Sequence, residues 1–457
     1  MTSLGHQETH MHKNLKILSG LIATTAISSV TLPTTLGLAA PGQLDVCAKA
    51  QAKDTPDTAS FGFLTPGNDG YLLYSGDFSP NNFAIDGRTQ YYAQLDQALK
   101  SKGIQLIVSP LPSRTIVYPE VLDKTQALQS SYSTDAAREN YKKSFQRLTD
   151  LGLKATDLLS RALQQRQTDD SKNLYFARDY HWTSEGARLY AQATAREVMK
   201  FEAYKSLKKE KFTNTYLRSE NAESRLAYLL QQVCGTKTPP EKINLFETTR
   251  DGGNLLGDDE YPIVMVGSSY SAETKYNFEG FLKEALGSNV LNLAVSGGGY
   301  NASLEGYFLG KDYATSKPKF LIWEFAASMT PWDQTPLREI IPSVYGDCAS
   351  EAAILEHKTS VSDGPTSILK NAGAKVDANK DFVSLQFADK TLLNFDLTLK
   401  FDDGEQETVK IARSNRIANE GQFFLKLASE FKGNLQEVTL TPGKKTQGTV
   451  AAKICRI

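Results

Sequence analysis

Ser269, His181 and Asp179 are the residues of this 457-residue chain whose types and spacing can do covalent chemistry. Ser269 lies in Pro262-Ile-Val-Met-Val-Gly-Ser-Ser-Tyr-Ser271. There an apolar, β-branched run from Ile263 to Val266 stops at Gly267, and a helical pattern follows from about Tyr276. Such a run reads as a strand buried on both faces. A strand that ends in Gly-Ser and turns into a helix lifts a hydroxyl to the carboxyl end of a parallel sheet, where backbone N–H groups can receive an oxyanion. In an ordinary strand-to-helix turn the same serine would only cap the helix.

Histidine separates the two readings. Of five, His6, His10 and His12 stand at the start of the chain and His357 lies far downstream, which leaves His181 within the region that carries Ser269. A serine nucleophile needs a base, and Asp179, two residues before His181, can reach back to hold the ring in one tautomer and stabilise the imidazolium. The competing reading has Thr183 cap a helix, with Asp179 and His181 decorating its entrance.

The elements that must position these residues alternate. Helical periods at Tyr91–Lys100, Ala136–Leu151 and from Thr183 are interleaved with strand-like runs at Ile104–Val108, Asn173–Phe176, Ile263–Val266, Val290–Val295 and Lys319–Phe325. This alternation predicts a doubly wound parallel sheet, with a site where strand carboxyl ends open onto a crevice. Arg114, Asp179, Ser269 and Gly297 each follow an expected strand. Phe61 to Phe78 reads as a strand-rich entry with turns at Pro66–Gly70, Gln165 to Lys172 as a polar break, and Lys208 to Arg225 as a surface helix and loop. Ser296-Gly-Gly-Gly299 is not a phosphate loop: no Lys-Ser/Thr follows, and the GxGxxG spacing fails at Ala302.

A net charge of −1 and a hydrophobic fraction of 40% describe an ordinary globular chain with no global bias toward membrane or nucleic acid, so no nucleic-acid partner is expected. Residues 1–40 read as a signal peptide, with Met11 as an alternative initiator, Lys13 and Lys16 ahead of an apolar Ile17–Ala26, and Gly37-Leu-Ala39 as the cleavage site. An exported protein makes disulfides expected, and Cys47, Cys234, Cys348 and Cys455 allow three pairings. Joining Cys348 to Cys455 would staple the ends of the last region. No close Cys or His spacing suggests zinc, and neither a metal nor a cofactor is expected.

After a connector at Pro331–Tyr345 the texture changes. From Ala353 on, apolar–polar alternation at Asp381–Phe387, Leu392–Phe401 and Gln422–Leu427, with Gly and Asn/Asp turns between, predicts an antiparallel β-sandwich. Lys410, Arg413 and Arg416 form either a basic strip or a solvated strand face. The expected division is therefore 1–40, 41–345 and 346–457.

Gly267-Ser-Ser269 and Asp179-Tyr-His181 resemble the Ser and Asp-x-His blocks of SGNH hydrolases, with the Asp-x-His block first. That order is similar to the circularly permuted branch that O-acetylates bacterial exopolysaccharides, alginate among them. Arg178–Gly186, Tyr276-Asn-Phe278, Leu291–Tyr300 and Leu321–Ala326 extend the resemblance, which runs from about Gly62 to the C-terminus. It implies an SGNH-hydrolase-like catalytic region followed by a carbohydrate-binding module, and a periplasmic O-acetyltransferase working through an acetyl-serine at Ser269. His181 would be the base, Asp179 its orienting carboxylate and Gly297 an oxyanion donor, with Tyr276 and Arg114 along the acceptor groove. Partners implied are an anionic, alginate-like exopolysaccharide, an acetyl relay from a membrane-bound acyltransferase, and other proteins of an export complex. The resemblance also implies Cys47–Cys234 and Cys348–Cys455. It breaks in two places. The Asn that follows the last strand in typical SGNH hydrolases is replaced by Ala326-Ala-Ser-Met329, with Ser328 as a substitute donor. In the last region, Asp396, Lys400 and Gln406 stand where the family carries basic and Trp residues. The same chemistry with water as acceptor gives a polysaccharide acetylesterase, and an inert site would leave a polymer-binding scaffold.

Overall fold

The computed structural model describes residues 44–52, 61–84, 89–171, 173–252, 260–310, 312–315, 318–329, 335–348, 352–446 and 448–457. The expected signal peptide and Trp332 lie outside them. Strands β1 (Leu64–Pro66) and β2 (Leu72–Tyr74) form an antiparallel hairpin, turned by Asp69 and Gly70 in left-handed conformations. Next come the helix Thr89–Ser101, β3 (Gln105–Leu111), the helix Thr134–Asp150, and β4 (Lys154–Ala155). The helices Leu158–Thr168 and Ser184–Val198 follow, the latter capped by Thr183, whose Oγ1 accepts the Gly186 N–H at 3.1 Å. β5 (Phe212–Ala222) pairs antiparallel with β6 (Glu241–Arg250), and the helix Arg225–Cys234 bridges them. Then come β7 (Ile263–Val266), β8 (Val290–Asn292) and β9 (Phe320–Ala326).

β4, β3, β9, β7 and β8 lie side by side in that order as one parallel sheet. Every residue of β7 and β9 is buried, as parallel strands covered on both faces require. From β3 the chain moves outward to β4, and from β7 it moves outward the other way to β8. The carboxyl ends of these strands therefore open onto a crevice, where α/β sheets hold their ligands.

The C-terminal region is a sandwich of two antiparallel four-stranded sheets. One is ordered β10 (Leu355–Val361), β17 (Gly448–Arg456), β12 (Asp381–Phe387), β15 (Gln422–Lys426); the other β11 (Thr366–Lys370), β16 (Leu435–Pro442), β13 (Asn394–Phe401), β14 (Gln406–Ala412). Alternate residues of β13 point inward, Phe395, Leu397, Leu399 and Phe401, and they join a core separate from that of the parallel sheet. Arg338, on the helix Thr335–Ser343, grips Glu407 through both terminal nitrogens at 2.5 and 3.0 Å and donates from Nε to the Lys426 carbonyl at 2.9 Å, joining the two cores. Cys47 is bonded to Cys234 and Cys348 to Cys455.

Several expectations fail at the level of elements. Asn173–Phe176 is not a strand; it makes a single bridge, Tyr175 to Trp182. Lys208–Arg225 is not a helix but mostly β5, and residues Gln165–Thr168 of the expected polar break end a helix. Regular β8 stops at Asn292 because the Asn292 side chain accepts the Ala294 N–H at 3.0 Å, although the Val295 N–H still reaches the Gly267 carbonyl at 3.0 Å. The connector carries the helix Thr335–Ser343.

Candidate active site

β7 delivers the chain to Gly267, where a side chain has no room: a Cβ would stand 2.6 Å from Oε2 of Glu324 on the neighbouring strand β9. Glu324 is the floor of the turn. It accepts the Ser268 N–H at 3.0 Å, the Ser268 hydroxyl at 3.0 and 3.1 Å, and the Ser271 hydroxyl at 2.8 Å. Burial pushes its carboxyl above the ordinary range, only partly offset by these bonds. Ser268 and Ser271 are buried on it and Tyr270 is buried with its hydroxyl donating to the Tyr180 carbonyl at 2.7 Å, while Ser269 at the head of the helix Ser269–Ala272 is partly exposed.

His181 Nε2 lies 2.9 Å from Ser269 Oγ, and its Nδ1 lies 2.7 Å from Asp179 Oδ1. The same Asp179 oxygen accepts the His181 backbone N–H at 2.9 Å, and Oδ2 accepts the backbone N–H of Arg225. Burial acts to raise the Asp179 carboxyl, but the hydrogen bond and charge of His181, together with the two N–H groups, hold it below the usual range. An aromatic collar surrounds the imidazole, with ring centres of Tyr180, Tyr270 and Tyr276 at 4.1, 4.9 and 5.3 Å.

Arg114 does not line the acceptor groove. It is buried, with its guanidinium on both oxygens of Asp77 at 3.0 and 2.5 Å and on the carbonyls of Leu72, Phe176, Ala177 and Asp179 at 2.9, 3.0, 3.1 and 2.7 Å. Within Asn173–Phe176 only the Phe176 carbonyl is among them; the Leu174 carbonyl accepts from the Thr183 N–H and the Phe176 N–H donates to the His181 carbonyl, so the segment pairs locally instead of joining the sheet. Tyr276 is likewise buried, packed against His181 rather than exposed to a groove. Gly297, at φ +73°, does border the cleft beside Ser269. Ser328 shares a side-chain hydrogen bond with Tyr74 and is not among the residues bordering the cleft.

The cleft over Ser269 encloses about 1180 Å³. Along with Ser269, His181 and Gly297 it is bordered by Tyr180, Tyr228, Arg225 and, from the sandwich, Arg416. Sequence reasoning missed Asp77, Glu324 and Tyr228. For Glu324 a signal existed, a carboxylate inside an otherwise apolar strand. Lys410, Arg413 and Arg416 form no strip: Lys410 is exposed on β14, Arg413 is buried 3.8 Å from Glu339, and Arg416 faces the cleft.

The doubly wound sheet, the elbow after β7 and the Asp-x-His block ahead of the serine together describe an SGNH-hydrolase-like protein. Residues 64–327 match the family described as "SGNH hydrolase-like domain, acetyltransferase AlgX", and residues 347–457 match a C-terminal carbohydrate-binding module. The chain belongs to this SGNH hydrolase-like AlgX family. Alginate biosynthesis protein AlgX of Pseudomonas aeruginosa is 27% identical over 428 residues, covering 90% of this chain and 89% of that protein. The AlgX of Pseudomonas syringae pv. tomato is 29% identical over 376 residues, covering 79% and 77%. A probable alginate O-acetylase AlgJ of Pseudomonas fluorescens is 29% identical over 275 residues, covering 58% and 68%. The solved structure of Pseudomonas aeruginosa AlgX superposes with a TM-score of 0.76 at 25% identity, covering 90% of this chain and 99% of that one.

Proposed function

We propose that this protein is a periplasmic O-acetyltransferase that acetylates an anionic exopolysaccharide, alginate by the names of its relatives, through an acetyl-serine at Ser269. In the first half-reaction His181 Nε2 takes the Ser269 proton as Oγ attacks the acetyl carbonyl of a donor ester. Backbone N–H groups of the elbow and of Gly297 stabilise the oxyanion. The tetrahedral intermediate then collapses, the donor oxygen leaves with the proton held by His181, and an ester remains on Ser269. In the second half a sugar hydroxyl gives its proton to His181 and attacks that ester, and Ser269 recovers the proton on collapse. Asp179 holds the ring tautomer that presents a bare Nε2.

The observation that carries this reading is the hydrogen-bonded chain Asp179–His181–Ser269, opening into a cleft. Division at residues 41–345 and 346–457, export by the leader, and an acetyl relay from a membrane-bound acyltransferase within an export complex belong to the same proposal. Two disulfides accord with an oxidising compartment, and no helix among the described residues is long and apolar enough to cross a membrane. The test is mass spectrometry after exposure to a chromogenic acetyl ester. Wild-type protein gains one acetyl group and Ser269→Ala gains none; an adduct surviving in Ser269→Ala sinks the assignment. Adding oligosaccharide separates transfer from hydrolysis, because acetylated sugar forms only in the first case.

A further inference from the structure

Two walls of the cleft carry side chains that the reaction at Ser269 does not use. On one wall, the helix Arg225–Cys234 presents Tyr228, a large ring left 55% exposed, one turn after Arg225. The Arg225 guanidinium lies 5.5 Å from the Tyr228 ring centre and 5.6 Å from that of Phe61, so cation and aromatic face stand side by side. This helix is fixed before any ligand arrives. Its Arg225 N–H is bound to Asp179, its Ala227 N–H donates to the Arg178 carbonyl at 3.1 Å, Leu226 and Leu230 are buried, and Cys234 is tied to Cys47. Preformed surfaces of this kind bind at a reduced ordering cost, that of their side chains alone.

On the other wall, Arg416 comes from the sandwich. A Cβ on Gly297 would lie 3.5 to 3.7 Å from its guanidinium, so it stands directly over the block beside the reacting serine. Its loop is held from below. Arg413 donates to Asn419 Oδ1 at 3.0 Å and to the Gln422 carbonyl at 2.8 Å, and Ile417 sits against Gly306 on the helix Ala302–Leu309. With Lys237 and Lys275 the cleft has four cations against the carboxylates of Asp179, Glu223 and Glu273, in a chain of net charge −1. The sandwich strands offer less: Lys400 is paired with Glu437 at 3.1 Å, and Asp396 and Gln406 bring no positive charge.

We propose that Tyr228, Arg225 and Arg416 form an acceptor subsite for a uronate unit, the Tyr228 ring stacking on the pyranose and the two guanidinia taking carboxylates of the polymer. The proposal rests on the acetyl-transfer reading and deepens it: acceptor charge is read at the reaction cleft, by a residue of each region, rather than on the sandwich face.

The test is calorimetric titration of the full-length protein with an oligouronate and with a neutral oligosaccharide of matched length, in the absence of donor. Arg225→Gln keeps its backbone N–H to Asp179, and thermal melts verify the fold of every variant. Arg225→Gln and Arg416→Gln are each expected to weaken the oligouronate about tenfold, flatten its salt dependence and spare the neutral sugar. Tyr228→Ala is expected to weaken both sugars about tenfold, with Tyr228→Phe restoring them. Oligouronate affinity unchanged in folded Arg225→Gln and Arg416→Gln overturns the subsite, as does loss of binding on Lys400→Gln alone. The acetyl adduct on Ser269 is scored separately. Binding losses without an adduct retain the subsite and end the transfer reading; an adduct without binding losses does the reverse.

Discussion

Replacing Arg114 with Met keeps the length of the stem and removes the guanidinium. Six hydrogen bonds disappear with it, two to Asp77 and four to backbone carbonyls. Asp77 is 2% exposed, so its carboxylate is left without its cation, retaining the Tyr74 N–H at 3.0 Å. Breaking one side of a buried pair costs about 3–5 kcal/mol. Each carbonyl that finds no water adds about 1 kcal/mol. The sum is on the order of 5 kcal/mol or more, comparable with the whole margin of a typical domain, about 5–15 kcal/mol. Urea unfolding followed by tryptophan fluorescence measures it. Arg114→Met/Asp77→Leu removes the stranded charge and should recover about 2–3 kcal/mol of the loss. Arg114→Lys keeps the charge but not the fork, so it should be more stable than Arg114→Met yet slow to form the acetyl adduct, because the Asp179 carbonyl loses its donor. A loss below about 1 kcal/mol in Arg114→Met, or a double variant no better than the single, would refute the reasoning.

Two further outcomes follow from buried carboxylates. Glu324→Ala strips the Ser268 N–H and the Ser268 and Ser271 hydroxyls of their acceptor, and folded protein should form the adduct at least about tenfold more slowly, by stopped-flow with a chromogenic ester. Glu305, between Asn301 and Arg413, is pushed by burial from its ordinary 4.5 to about 7, with Arg413 and Asn301 pulling the other way. The unfolded chain releases that proton near 4.5 and the folded one only near 7, so this group lowers stability progressively across that window and by its full amount above it. Glu305→Gln should flatten the pH dependence and gain on the order of 2 kcal/mol above about pH 7, discounted because Arg413 loses one of the two carboxylates that face it and keeps Glu339. Identical slopes in urea titrations of the two proteins across that window would remove Glu305 from the account.

How legible these features were in the sequence follows from how local each is. Ser269 was readable because an apolar run ends at Gly267, and His181 because histidine is scarce. Arg114 was misread: its position after β3 was right, but whether a side chain turns inward depends on Asp77 and on carbonyls about sixty residues away. β5 left no alternating pattern to read, because nearly all of its residues are exposed on a two-stranded ribbon. The disulfides were compatible with three pairings until the resemblance chose among them. Arg416 read as part of a basic strip or of a solvated strand face, since facing the cleft depends on a loop docked against the helix Ala302–Leu309.

The order of strands in the parallel sheet bears on how the chain comes into being. β9 sits between β3 and β7, pairing Gln105 with Phe320 and Ile263 with the same residue. For a chain made from its N-terminus, β3 must wait roughly two hundred residues for that neighbour, and β7 has no central partner until the same moment. Glu324, the floor beneath Ser269, arrives on that late strand too. A chain that ends before β9 therefore carries Ser268 and Ser271 without the carboxylate that accepts from them, and under the proposed function its acetyl adduct is expected only once the sheet closes.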